Sequence, residues 1–165
     1  MFAGKTSAGI AEFRECYGVG VAFKYALDNR YSSTQVITHD GVSIDATPYS
    51  SISDILAVIR GTFCNYVLID EFQFVPDPER IREIMDLGVN CIVTGLSGTY
   101  LAKMFDAMTT IIPLADKIIQ HCARCDICAS PATYTIRKTN NAALVCIGGE
   151  ETYSARCRNC LSDRR

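Results

Sequence analysis

Two C-x-x-C pairs, Cys125 with Cys128 and Cys157 with Cys160, constrain this chain more than any other feature. Each pair can offer two thiolates to one side of a tetrahedron, and together they complete a closed four-sulfur site with no open position. The pattern therefore predicts a structural zinc ion that ties two distant segments together. Of the nine cysteines, Cys122, Cys125, Cys128, Cys146, Cys157 and Cys160 all crowd the last third. The chain opens with no basic segment running into an apolar one, so a reducing, cytoplasmic setting and metal binding explain the crowding better than disulfides. From the residues alone, Cys122 competes with Cys125 for the first ligand position. Cys146, inside the run AALVCIGG, reads as a small hydrophobe.

The earlier part of the chain follows a different pattern. Lys5 to Cys16 is compatible with a helix despite Gly9, with Ile10 and Phe13 at helical spacing. GVGVAFKY reads as a strand, and LDNRYSSTQVITHDGVSIDATPYS as a polar stretch with turn formers. SISDILAVIRG is an amphipathic helix, capped by Ser51 or Ser53 and stopped at Gly61. FCNYVLID and VNCIVTGL read as buried strands, with the helical segment DPERIREIMDLG between them. Strands alternating with helices predict a parallel α/β sheet, and 48% hydrophobic residues suffice for its core. Near Lys117 the pattern changes to short runs, TYTIRK and AALVCIGG, bracketed by the C-x-x-C pairs. A boundary there separates an α/β domain, residues 1–116, from a β-rich zinc-binding module, residues 117–165.

Two further motifs carry chemistry. MFAGKTS ends like a phosphate-binding loop, G-x-x-x-x-G-K-[ST], with Gly4, Lys5 and Thr6 at the matching positions. A lysine there meets the terminal phosphates, the hydroxyl meets magnesium, and helix N–H groups point at the anion. The leading glycine would fall before Met1, so the strand that enters such a loop is expected to be missing, and its place is expected beside the VLID strand. VLIDEFQF delivers Asp70 and Glu71 at a strand end, which in a parallel sheet is the ligand-binding edge. One acid can serve a magnesium shell and the other can take a proton from a substrate hydroxyl. Between the zinc pairs, Thr135, Gly148, Gly149 and Tyr153 form either a loop that lets backbone approach a ligand closely or a plain hairpin turn.

Net charge of −2 argues against broad electrostatic binding to nucleic acid, and the basic residues of the zinc segment are interspersed rather than clustered. No stretch is long and apolar enough to span a bilayer. These readings predict no nucleic-acid and no membrane partner.

In order and approximate spacing, MFAGKT, FKYALDNRYSSTQVITHDG, IDEFQFVPD, GLSGTYLAKMF, CDICASPATYTIR and IGGEETYSARCRNC resemble the cytosolic, zinc-containing type of thymidine kinase. The resemblance implies a P-loop NTPase-like sheet with a zinc-held lasso, ATP with Mg2+, thymidine as acceptor and a homotetramer. It implies that Gly4, Lys5, Thr6, Asp28, Arg30, Asp70 and Gln73 serve ATP and its metal, and that Glu71 is the base for the nucleoside 5′-hydroxyl. It places Met1, Tyr100, Phe105, Thr135, Cys146, Gly148 and Tyr153 at the nucleoside, with Tyr100 stacked on thymine where the family usually has phenylalanine. It selects Cys125, Cys128, Cys157 and Cys160 as the zinc ligands. Phe72 stands where the family has a small glycine. The alternatives are a weak or inactive relative that binds nucleotide or a partner, and a zinc-ribbon nucleic-acid module.

Overall fold

The computed structural model describes residues 2–28, 34–38, 41–139 and 148–161. In chain order its elements begin with α1 (Lys5–Glu15), β1 (Gly20–Tyr25), β2 (Gln35–Ile37), β3 (Ser43–Asp45) and β4 (Thr47–Tyr49). Next come α2 (Ile52–Gly61), β5 (Tyr66–Ile69), α3 (Ile81–Asp86), β6 (Asn90–Val93) and α4 (Asp106–Ile111). The last third contributes β7 (Ala123–Arg124), β8 (Pro131–Ala132), β9 (Tyr134–Arg137) and β10 (Tyr153–Arg156).

Among the described residues the main sheet has four parallel strands in the order β4-β1-β5-β6. Its central strand β5 is buried along its whole length because both faces are covered. Val67 and Ile69 join Phe23 and the α2 residues Ile52, Ile55, Leu56 and Ile59 on one face. Leu68 joins Ala22, Ile10 of α1 and Val36 of β2 on the other. The period of two along the strand therefore divides its side chains between two cores.

Local chemistry fixes where α2 starts. Ser51 Oγ accepts from the Asp54 N–H at 3.4 Å, and Asp54 Oδ2 accepts in return from the Ser51 N–H at 3.0 Å. This reciprocal box satisfies two donors that a helix start leaves open. Ser51, not Ser53, is the cap, and the helix runs through Gly61 before Thr62 ends it.

Three sequence expectations change. VNCIVTGL forms a half-buried edge strand, with Asn90 exposed, because β6 lies at one end of the sheet. Both sides of β5 are occupied, by β1 and β6, so no further strand fits beside VLID; the sheet's outer strands are β4 and β6. The polar stretch holds more structure than expected: β2 and β3 form an antiparallel pair, and β4 adds to β1.

The last third is β-rich, as expected. β7 pairs with β8, and β9 pairs with β10, both antiparallel. Their small core of Ala123, Cys125, Ala132, Ala155 and Cys157 also packs against Ala3, the residue before Gly4. No helix among the described residues is long and apolar enough to cross a membrane.

Candidate active site and metal centre

The half loop and the acid-bearing strand meet. Gly4 adopts φ 70° and ψ 19°, a left-handed conformation that glycine accepts without the Cβ penalty, and α1 begins directly after it. Thr6 Oγ1 lies 3.5 Å from Asp70 Oδ1, while the Lys5 ammonium favours the charged form of Asp70. Gly9 explains this close approach. A β-carbon there would overlap the Thr94 methyl and sit 3.3 Å from Leu68 Cδ1, so the missing side chain lets α1 settle onto the sheet.

Asp70 is 7% exposed, and burial, followed by repulsion from Glu71, pushes its carboxyl up to about 6. The Thr94 hydroxyl donates to Asp70 Oδ1 and opposes that shift. Tyr49 donates its hydroxyl to the Asp70 carbonyl at 2.7 Å, and burial holds its phenol well above the usual range. A buried carboxylate oxygen flanked by two hydroxyls and faced by an ammonium suits a hard divalent cation carrying phosphate. The donor set therefore fits Mg2+ with a nucleotide.

Immediately after Asp70 the chain turns sharply. Glu71 has φ 58° and ψ 40°, an uncommon backbone for a non-glycine residue and one concentrated at functional sites. The Phe72 N–H donates to the Thr94 carbonyl at 3.0 Å, and the fully buried Phe72 ring anchors the turn in the core. Gln73 donates its amide N–H to Glu71 Oε2, and its Oε1 accepts from the Leu96 N–H at 2.9 Å. Gln73, expected at the nucleotide, also holds the carboxylate two residues before it.

The other predicted residues divide by location. Asp28 is buried just past β1, its N–H on the Tyr25 carbonyl at 3.0 Å. Phe105 caps α4 and meets Phe74 edge to face at 6.3 Å between ring centres. Tyr100 sits in the turn closed by the Gly98–Met104 bridge. Thr135 lies opposite Ala155 in the β9–β10 pair, and Gly148 enters the turn before β10. Tyr153, at the start of β10, is buried. Met1, Arg30 and Cys146 lie outside the described residues.

The four predicted zinc ligands converge. The sulfurs of Cys125, Cys128, Cys157 and Cys160 all lie within 4.8 Å of one another, and Cys128 stands 3.6 Å from both Cys157 and Cys160. Tetrahedral zinc–thiolate bonds of about 2.3 Å place sulfurs about 3.8 Å apart, so the cluster is the right size. Backbone hydrogen bonding at Cys157, above all, draws the Cys125 thiol down to about 6, and the Ser130 hydroxyl leads in lowering Cys128. Such donors favour the thiolates that zinc requires. Cys122 is exposed and outside the cluster, which resolves its competition with Cys125.

The family model for thymidine kinase matches residues 1–161. The chain belongs to the thymidine kinase family. It is 32% identical to the cytosolic thymidine kinase of Gallus gallus, over 100% of this chain and 75% of that protein. It is 34% identical to the cytosolic thymidine kinase of Homo sapiens, over 97% of this chain and 69% of that one. With the thymidine kinase of Thermococcus kodakarensis the identity is 32%, over 96% and 88% of the two chains.

In this thymidine kinase family member, three contributors were not read from sequence. Thr94, just past the neighbouring strand β6, and Tyr49, on β4 beyond β1, hold Asp70, and Arg137 lies over Tyr100. Only Thr94 left a signal, as a hydroxyl residue ending the strand next to VLID.

Proposed function

We propose that this chain transfers the γ-phosphate of ATP to the 5′-hydroxyl of thymidine. The observation that carries this reading is the meeting of the Lys5–Thr6 helix start with the Asp70–Glu71 strand end. Lys5 neutralises charge on the transferring phosphoryl group, while Thr6, Asp70 and Asp28 hold the metal that accompanies ATP. Mg2+, when held there by Thr6, Asp70 and Asp28, would supply charge neutralisation to the phosphates. Glu71, oriented by Gln73, accepts the proton of the nucleoside hydroxyl. Arg30 adds charge near the phosphates.

The base site belongs to Tyr100, Phe105, Thr135, Gly148 and Tyr153, together with Met1 and Cys146. Backbone groups of the lasso pair with the donor and acceptor edge of thymine; cytosine presents the opposite pattern and leaves buried groups unpaired. Zinc on Cys125, Cys128, Cys157 and Cys160 supports this indirectly, by fixing the loop. The resemblance and the relatives called cytosolic support a cytoplasmic homotetramer of chains divided near residue 117, and the net charge of −2 argues against a nucleic-acid partner.

Consumption of ATP that depends on thymidine, and not on deoxycytidine, tests the proposal. ATP consumption with no thymidine dependence, or none at all in zinc-loaded protein, removes it.

A further inference from the structure

Arg137 joins two parts of the molecule that sequence distance keeps apart. It ends β9 in the zinc module, and its guanidinium carbon sits 3.9 Å over the centre of the Tyr100 ring, in the turn after β6. Its Nη2 donates to the Tyr153 hydroxyl at 2.9 Å, and its guanidinium also lies 5.4 Å from the Tyr153 ring centre. Tyr153 in turn pairs directly with Arg137 across β9 and β10. One planar cation therefore covers one face of an aromatic ring from the α/β body and holds the hydroxyl of another from the zinc module.

We infer that Arg137 is a positioning residue that sets the nucleoside site by clamping Tyr100 to Tyr153. With one face of Tyr100 occupied, a base has the opposite face for stacking, and the ring cannot swing without losing its cation–π contact. The hydrogen bond to Tyr153 fixes the direction of the guanidinium, so zinc-module geometry reaches Tyr100 through a single side chain. Lysine cannot replace it. An ammonium lacks the flat fork that stacks on one ring while donating to another.

This inference rests on the proposed thymidine site, and the test separates the two. Arg137→Lys and Arg137→Met should each raise the thymidine KM by about fivefold to tenfold, as expected for one stacked contact and one hydrogen bond. The ATP KM and kcat should stay close to the parent values, with zinc content unchanged. In a Tyr153→Phe background the Arg137→Lys effect should shrink, because the guanidinium has already lost its orienting partner. Hydrogen exchange of the substrate-free protein supplies a readout independent of thymidine: Arg137→Met should speed exchange in residues 98–104 together with β10. If the parent has no thymidine activity but this joint exchange change appears, the clamp stands and the substrate reading fails. Unchanged thymidine KM in an active enzyme, fully additive effects, or exchange that speeds on only one side of the clamp would overturn the inference.

Discussion

Thr6 Oγ1 and Asp70 Oδ1 stand 3.5 Å apart although 64 residues separate them in sequence. The contact joins the first turn of α1 to the end of β5, and the hydroxyl of Thr94 reaches the same carboxylate oxygen from β6's end. Removing that second hydroxyl should be costly. Thr94→Val keeps the shape but leaves a buried carboxylate short of one donor, so we expect a loss of about 2 kcal/mol in chemical denaturation. Pairing it with Asp70→Asn should give less than the sum of the two effects, since both act on one interaction.

Gly9 supplies a prediction with an unusual sign. In an ordinary helix interior, replacing glycine with alanine stabilises by about 0.5–1 kcal/mol. Here the added carbon meets the Thr94 methyl, and turning Thr94 away withdraws its hydroxyl from Asp70. Gly9→Ala should therefore destabilise by about 1–3 kcal/mol and raise the ATP KM as α1 lifts from the sheet. A higher melting temperature with unchanged ATP KM contradicts this packing account.

Loss of zinc should be felt at both substrates. The zinc module carries Tyr153, and its small core also packs on Ala3, next to the phosphate half loop. Chelation, or Cys157→Ser, should weaken thymidine and ATP binding together, each by about tenfold, which corresponds to only 1.4 kcal/mol. Metal analysis and calorimetric titration of both ligands check it. ATP affinity that survives zinc removal intact shows that the Ala3 contact transmits nothing.

Much of this architecture was legible because it rests on local patterns. α1, α2, β1 and β5 follow from periodicity, with a cap for α2; the spacing of the C-x-x-C pairs announces a metal site, and the resemblance picks Cys125 over Cys122. What escaped depends on neighbours distant in sequence. β4 is three residues long and contains Pro48, which an edge position tolerates, so nothing in TPY announces a strand. VNCIVTGL is apolar enough for a central strand, and its edge position comes from sheet order. Gly9 reads as a weak point in a helix, and only the Thr94 methyl packed against it gives the reason for a glycine there. The stack of Arg137 on Tyr100 joins two modules and has no local signature.

Gln73 ties Glu71, the proposed base, to the loop after β6, since its amide spans Glu71 and the Leu96 N–H. Gln73→Leu should lower kcat by about tenfold or more while thymidine affinity changes little, because the base loses its orientation rather than its chemistry. An equal fall in thymidine affinity assigns Gln73 to the nucleoside instead.

The most direct test is single-turnover formation of dTMP by the Glu71→Gln variant beside the parent, with thymidine affinity measured on both. The account predicts a rate lower by about 10²–10⁴-fold, as for loss of a general base, with affinity within about twofold of the parent. A variant that makes dTMP at the parent rate contradicts it.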